Sequence, residues 1–398
     1  MHVDVNNAFL SWSAINMLKN GESIDIRNIP SVIGGDEERR SGIVLAKSPV
    51  AKKYGIKTGE TLYSAKQKCP NIKVYPADFK IYKQSSESLY KLLLEYTDKI
   101  ERFSIDECFL DMTNYLMGDT ILNKALEINY RVKKELGFTV NVGVSENKLL
   151  AKMASDFEKP DKVHTLFKEE IQTKMWNLPV EELFMIGRKT VPKLNNMRIN
   201  KIGDLAKYDI NKLIKIFGKQ GKLMWDYANG IDDSEVIYEY EQPKGVGNSI
   251  TLPRDVSNIE DLEQVLLQLT QQVTFRLRKH ELLANVVNVQ LRTSEFIDFS
   301  HQRKLICSTS STKEIYSLAK ELLHEMYKSG TLIRLIGIRV DKLIGKNEKQ
   351  ISLFGEDKKQ EKLDTVLDTI KSKYGYESIK RANGMYIDDK LKPKKSID

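Results

Sequence analysis

A chain of 398 residues with 41% hydrophobic and 30% charged side chains has a globular composition and room for two to four domains. No run approaches the ~20 apolar residues that span a bilayer, and the chain opens in a strand-like run rather than a signal peptide. The net charge of +8 favours a polyanionic partner, nucleic acid before membrane, and three scattered cysteines (Cys69, Cys108, Cys307) without zinc spacing suggest a reducing cytoplasm.

Residues 1–9 read as a short strand running into a turn, with Asp4 closing the apolar run His2-Val3-Asp4-Val5. Strand-like runs follow at 31–33 and 42–46, then a lysine-rich segment over 47–68. The spacing of Leu89, Leu92, Leu93 and Tyr96 predicts a helix over 82–99. The run Phe103–Met112 reads as a strand carrying two adjacent acids, Asp106 and Glu107. A helix is expected over 119–136 and a strand over 138–144, and Ser145 is the expected N-cap of a helix holding Leu149, Leu150 and Met153. This order builds an antiparallel sheet backed by helices.

Residues 165–240 are helix-rich, with breaks at Pro179, Gly187, Gly203, Gly218 and Gly230. A linker is expected around Gln242–Gly245, followed by a second α+β domain of about 100 residues. Its strands show as Val287, Val289, Leu291 and as Ile336, Ile338, Val340, each alternating with polar or small neighbours, and its helices lie near 262–277 and 313–326. The remaining tail is polar, broken by one apolar motif and by a helix whose stripe is Leu363, Val366, Leu367 and Ile370.

The acid pair is the sharpest chemical signal. A straight strand sends successive side chains to opposite faces, so Asp106 and Glu107 reach one pocket only if the chain bends there. With Asp4 they would make a site for one or two magnesium ions; the alternative is solvent-facing hairpin acids and an unrelated Asp4. Gly187, Arg188, Lys189 and Thr190 fit the turn of a helix-hairpin-helix, whose second helix would aim its N–H groups at a DNA phosphate; the alternative is an ordinary glycine cap. Gly34-Gly35-Asp36-Glu37 resembles a diguanylate cyclase signature but lacks the following Phe, and reads better as a polar hairpin turn. Lys47, Lys52, Lys53, Lys152 and Lys159 are candidate triphosphate contacts, although a lysine is more often a solvated surface charge. Gln350, Ile351, Ser352, Leu353 and Phe354 read as a linear peptide that docks Leu and Phe into a partner's apolar groove, against a local tuck onto the preceding domain. The five histidines form no metal or triad spacing, and no Walker loop is visible.

Asp4-Val-Asn-Asn-Ala-Phe9, the stretch 42–59, Ser104-Ile-Asp-Glu107, Gly143-Val-Ser-Glu-Asn-Lys-Leu-Leu-Ala-Lys152 and Asp156-Phe-Glu-Lys-Pro160 occur in that order, and together they resemble the Y-family translesion DNA polymerases of the DinB/UmuC kind. The resemblance covers about residues 1–345, and the tail is similar to bacterial members that bind the sliding clamp. It implies an α+β, right-hand polymerase: palm over 1–9 and 71–164, small fingers over 10–70, thumb over 165–241, little finger over 242–345 and a clamp-binding tail over 346–398. It implies templated, low-fidelity synthesis on primer-template DNA from dNTPs, with two magnesium ions held by Asp4, Asp106, Glu107 and the Val5 carbonyl. The backbone of Asn6, Asn7, Ala8 and Phe9 would hold phosphate oxygens, and the Phe9 ring would exclude a ribose 2′-hydroxyl by clash. Lys52 and Lys159 match triphosphate contacts and Ile43 the residue resting on the nascent base pair.

Three features depart from the DinB pattern. Pro49 stands where many members carry a tyrosine that contacts the triphosphate, and Lys52 where many carry arginine; UmuC-like members are similar to this chain at both. The chain also begins three residues before Asp4, so either the first strand is brief or the native start lies upstream. A cytoplasmic monomer is expected, with accessory subunits as an option. The rival readings are a non-catalytic DNA-binding relative and a nucleotide cyclase.

Overall fold

The computed structural model describes residues 1–36, 40, 42–115, 118–239, 242–348, 358–375 and 378–379. The chain divides into two units, Met1–Gly34 with Val44–Tyr240, and Gly35–Ile43 with Glu241–Asp398. Both are α+β, as expected. Among the described residues no helix is long and apolar enough to cross a membrane.

The first unit runs β1 (His2–Val5), α1 (Ala8–Lys19), β2 (Ser31–Gly34), β3 (Val44–Lys47), α2 (Pro49–Lys53), α3 (Leu62–Lys68), β4 (Lys73–Pro76), α4 (Phe79–Leu93), β5 (Ile100–Arg102), β6 (Glu107–Leu110), α5 (Ile121–Arg131), β7 (Val140–Val144), α6 (Lys148–Ser155) and β8 (Val163–Thr165). The short helices α7 (Val191–Asn196), α8 (Ile202–Ala206), α9 (Ile210–Phe217) and α10 (Lys219–Ala228) follow. The main sheet has the order β5-β6-β1-β7-β8, antiparallel except where β8 runs parallel to β7.

Strand alternation gives this sheet two different faces. Val3, Val5, Cys108, Leu110, Val140 and Val142 fall on one and pack with Leu89, Leu93, Ala125 and Ile128 from α4 and α5. The other face carries His2 opposite Phe109 and Gly143, and Asp4 opposite Glu107 and Asn141. Helix α6 covers that polar face. It can lie close because Gly143 has no side chain: a Cβ there would sit 1.9 Å from Ala151 O and 2.6 Å from Ser155 N. Gly143→Ala should therefore cost about 2–3 kcal/mol, the upper range for overpacking, and lower the melting temperature by several degrees. Gly187→Ala, where an added Cβ meets nothing, should leave it unchanged; calorimetry of both variants checks this.

Sequence periodicity missed α1. Its first two turns are buried nearly all round, through Ala8, Leu10, Ser11, Trp12, Ser13 and Ala14, so no stripe marks it. Ser145 is not the cap of α6: Asn147 accepts the Leu150 N–H, while the Ser145 hydroxyl donates to Leu166 O. Leu149 and Leu150 of α6 pack with residues of the 171–228 segment, which holds its own core around Leu194, Ile202, Leu205 and Leu213.

The second unit runs β9 (Gly245–Val256), α11 (Ile259–Lys279), β10 (Leu282–Thr293), β11 (Asp298–Thr309), α12 (Thr312–Met326), β12 (Ile333–Asp341), β13 (Ile344–Gly345) and α13 (Lys358–Tyr374). Its antiparallel sheet has the order β11-β10-β12-β9, and its core joins Val287, Val289, Ile336 and Ile338 to Leu262, Leu266, Leu269, Leu322 and Leu323 of α11 and α12. Strands β9 and β11 escaped sequence reading because they are sheet edges; β11 is exposed along most of its length.

The helix expected in the tail is present as α13, and of its stripe Leu367 and Ile370 are half-buried. Leu363 and Val366 are 49% and 55% exposed, and Asp364 is buried instead. Asp364 lies 3.6 Å from the Arg278 guanidinium and accepts the Thr312 N–H at the start of α12, while Arg278 also grips Asp368 through Nε and a terminal nitrogen. A carboxylate at a helix N-terminus, paired with arginine, outweighs the apolar stripe here. Gln350, Ile351, Ser352, Leu353 and Phe354 lie outside the described residues.

Candidate active site

The polar face of the main sheet, closed by α6, gathers a charged cluster. Asp4 and Glu107 face each other across β1 and β6. The chain bends at 103–106, so Asp106 precedes the strand that begins at Glu107. The Asp106 carbonyl accepts the Val5 N–H at 3.0 Å. Its half-buried carboxylate accepts the Ser104 hydroxyl at 2.7 Å, and the same hydroxyl accepts the Asp106 N–H at 3.3 Å. Asp4 and Glu107 are thus brought together, while the Asp106 side chain is turned onto Ser104. Among the described residues no three acidic, histidine or cysteine side chains converge as a preformed metal cage.

Two ammonium groups balance the acids. Lys152 is 7% exposed, with Nζ 3.0 Å from Glu107 Oε1, 3.4 Å from Asp4 Oδ2 and 3.3 Å from Asp156 Oδ2. Lys159 Nζ lies 3.1 Å from Asp4 Oδ1 and 2.9 Å from Asp156 Oδ1. Burial opposes the charge of each lysine, but Asp156 and Asp4 hold both above the ordinary lysine value, helped by Glu107 at Lys152. Burial pushes the Asp4 carboxyl up against the pull of Lys159 and Lys152. Burial would do the same at Glu107, yet His2, Asp4 and Lys152 hold that carboxyl well below the carboxylate range. Burial also pushes His2 down to about 4, so its ring is neutral at physiological pH.

This arrangement fits a hard divalent cation. The donors are carboxylate oxygens, and a cation already sits between Asp4 and Glu107 in the form of the Lys152 ammonium. Asp4, Glu107 and, once released from Ser104, Asp106 would hold the metal, and the lysines would move onto Asp156 or onto substrate phosphate.

The residues expected to face a nucleotide lie at the start of α1. Asn7 is its N-cap in the left-handed region (φ 50°, ψ 51°), a conformation asparagine tolerates, and its amide donates to Lys47 O at 2.7 Å. No side chain caps the helix, so the first amides of α1, from Ala8 and Phe9 onward, are without intrahelical partners and free for an anion. Asn6 donates to Asn141 Oδ1 at 3.1 Å and accepts the Asp161 N–H at 2.9 Å, which ties this turn to the Lys159 loop. Phe9 is half-buried and stacks on Tyr82 at 4.5 Å and 13°, with Phe79 edge-on at 5.8 Å. The Tyr82 hydroxyl is itself bonded to Ser13 at 3.0 Å, so the platform is rigid.

Lys52 lies exposed on α2, where Pro49 takes the first helical position, a place suited to its fixed φ. Ile43 is 40% exposed and belongs to the segment grouped with the second unit. In the hairpin segment Thr190 is the N-cap residue of α7, its N–H donates to Gly187 O at 2.8 Å, and Arg188 and Lys189 are exposed. The full helix expected before Gly187 is absent: Val180–Glu182 make one 3₁₀ turn after Pro179, and Met185 is left-handed at φ 71° so that Leu183 and Ile186 both reach the core.

Sequence reading left out Asp156 and His2. A lysine inside the otherwise apolar run Leu149–Ala154 marks Lys152 as paired, and Asp156 lies one turn away on the same helix face. His2 shares a strand face with Asp4 by simple alternation, a signal that metal or triad spacing does not test.

Two family models match the chain: the impB/mucB/samB family over residues 3–156, and the C-terminal domain of the same family over residues 243–353. The chain is 50% identical over 383 residues to DNA polymerase IV of Clostridium acetobutylicum, covering 96% of each. It is 39% identical over 398 residues to DNA polymerase IV of Acetivibrio thermocellus, covering 98% of each. Among solved structures it is similar to a Y-family DNA polymerase chimera of Dbh and Dpo4, with a TM-score of 0.74 and 25% identity over 86% of this chain and 98% of that one. With likeness of this degree along nearly its whole length, the chain belongs to the impB/mucB/samB family, the bacterial DinB-like Y-family DNA polymerases.

Proposed function

We propose that this protein is a template-directed DNA polymerase of the translesion type, which joins a dNTP to a primer 3′-hydroxyl at the Asp4–Asp106–Glu107 cluster. The observation that carries the reading is the pairing of Asp4 with Glu107 around a buried cation position, beside an uncapped helix N-terminus and a stacked Phe9. Family membership makes the reaction dependent on a divalent cation; two magnesium ions would be held once Asp106 swings off Ser104 to join the paired Asp4 and Glu107. When bound, they lower the pKa of the primer hydroxyl and neutralise triphosphate charge. The 3′-oxygen bonds to the α-phosphorus, the bond to pyrophosphate breaks and the hydroxyl proton leaves.

The residues supply orientation and charge. The first amides of α1, between Asn6 and Phe9, receive phosphate oxygens, and the Val5 carbonyl is a further metal ligand. Lys159 and Lys52 neutralise the leaving pyrophosphate as charge builds on it. Phe9 selects deoxyribose by volume. Ile43 rests on the nascent base pair, and Gly187–Thr190 hold a DNA phosphate in a thumb over 165–241. On the same reading the palm covers 1–9 and 71–164, the small fingers 10–70 and the little finger 242–345. Fingers of about 60 residues lie at the small end of domain size and leave little surface to test base-pair shape, which suits low-fidelity synthesis. The enzyme works as a cytoplasmic monomer with a sliding clamp.

Gln350–Phe354 is the clamp peptide of this reading. Deleting these five residues should leave distributive synthesis on short primers unchanged and remove the stimulation given by a loaded clamp. A processivity assay with and without clamp checks this; stimulation that survives the deletion places the clamp contact elsewhere. Templated incorporation, with one dNTP offered at a time opposite each base, tests the proposed reaction itself.

A further inference from the structure

His2 takes no part in the reaction as set out above, yet it is wholly buried beneath the acids. Its ring lies 4.5 Å from Phe109, and Nδ1 is 2.7 Å from Ser155 Oγ. Nε2 is buried without a hydrogen-bond partner and faces Glu107 Oε2 at 3.7 Å. The other Glu107 oxygen, Oε1, is the one Lys152 holds. One oxygen of the carboxylate thus faces the cation position that Lys152 occupies, and the other faces the imidazole.

Two proton arrangements satisfy Nδ1. If the ring donates from Nδ1, Ser155 can give its own proton to Lys152 O at 2.8 Å, but the Nε2 lone pair is then buried against a carboxylate oxygen. Two acceptors facing each other without solvent is the costly case. If Ser155 donates to Nδ1, the ring proton sits on Nε2 and points at Glu107; Lys152 O gives up the Ser155 proton, but no ring lone pair is buried against the carboxylate. The separation of 3.7 Å closes to a hydrogen bond with a small rotation of the carboxylate.

We infer that His2 is a positioning residue for Glu107: Ser155 fixes its tautomer, and its Nε2–H holds Oε2 so that Oε1 is presented to the cation that displaces Lys152. This rests on the reading of Asp4, Asp106 and Glu107 as metal-binding carboxylates. Gly143 is part of the device, because its missing side chain lets α6 bring Ser155 onto the ring.

The test uses the full chain and Mn2+ as the probe, with bound metal read from loss of the free-ion paramagnetic resonance signal. His2→Phe keeps the ring and removes the donor; His2→Gln replaces the donor with an amide. The Mn2+ concentration for half-saturation should rise about tenfold or more in His2→Phe and stay within about threefold of wild type in His2→Gln, as expected when a group orienting a metal ligand is lost or replaced. In wild-type protein labelled with 15N-histidine, His2 should be the Nε2–H tautomer. A folded His2→Phe that binds Mn2+ like wild type, or an Nδ1–H tautomer, overturns the inference. Should His2→Phe fail to fold, the tautomer and His2→Gln decide it: an Nδ1–H ring, or a His2→Gln chain whose metal binding is as weak as that of Glu107→Gln, overturns it. Glu107→Gln separates the two layers of the argument: unchanged Mn2+ binding there overturns the metal assignment itself, whatever His2 does.

Discussion

Asp106→Asn should abolish primer extension, lowering single-turnover incorporation about a thousandfold or more, because a metal-held charge is worth several kcal/mol at the transition state. The fold should not notice. Asp106 lies half-buried in a bend, its backbone carbonyl tied to Val5 and its side chain bonded only to Ser104. An asparagine oxygen accepts the same Ser104 hydroxyl and presents the same volume, so only the charge is lost. DNA affinity should stay within about twofold, since phosphate contacts elsewhere dominate it. Rapid-quench extension and a DNA-binding titration on the same preparation check both halves. Extension that survives with intact DNA binding would remove Asp106 from the metal site.

Phe9→Ala should admit ribonucleotides. The wild-type ring is fixed by stacking on Tyr82 and by the edge of Phe79, and Tyr82 is anchored in turn to Ser13. A 2′-hydroxyl placed against a ring that cannot move costs what overpacking costs, about 1–3 kcal/mol, so the ratio of kcat/KM for dCTP over CTP opposite guanine should fall roughly 10- to 100-fold. The loss appears mainly as faster CTP use, not slower dCTP use, because the gate acts by exclusion. Phe9→Leu should fall between the two. An unchanged ratio in a stably folded Phe9→Ala chain would mean that another group reads the sugar.

The fold was legible where periodicity and burial coincide. Helices α4, α5, α11 and α12 and strands β10 and β12 each have one more deeply buried side, and the sequence repeats at that side's period, whereas β6 and β7 are covered on both faces and show as short strand-like runs. Helix α1 was invisible because its first turns are buried all round, and β9 and β11 because edge strands need no alternation. The α13 stripe misled because periodicity cannot report that Asp364 has an arginine and a helix N-terminus waiting for it.

The site shows the same division. Asp4 and Glu107 could be paired on paper only through a recognised order of motifs; the structure pairs them by strand register. A bend at Asp106 is what two adjacent acids would need to reach one pocket, a geometric requirement that sequence can state, and the chain does bend there. That Asp106 is turned onto Ser104 depends on a hydroxyl two residues away, and no pattern of residue types announces it. Lys152 illustrates the converse: its pairing with Asp4 and Glu107 runs across helix and sheet, and those distances come only with the fold.

On the proposed reading Asp4, Asp106 and Glu107 together hold the cations of nucleotidyl transfer. The most direct measurement is anomalous scattering from a crystal of the chain with primer-template DNA, a non-hydrolysable dNTP and Mn2+. Two anomalous peaks are expected between β1 and the start of β6, each within about 2.0–2.3 Å of carboxylate oxygen, with the Asp106 side chain swung off Ser104 and Lys152 off Glu107. Peaks that touch Asp4 and Glu107 but leave Asp106 on Ser104, or bound nucleotide with no metal at these acids, would contradict it.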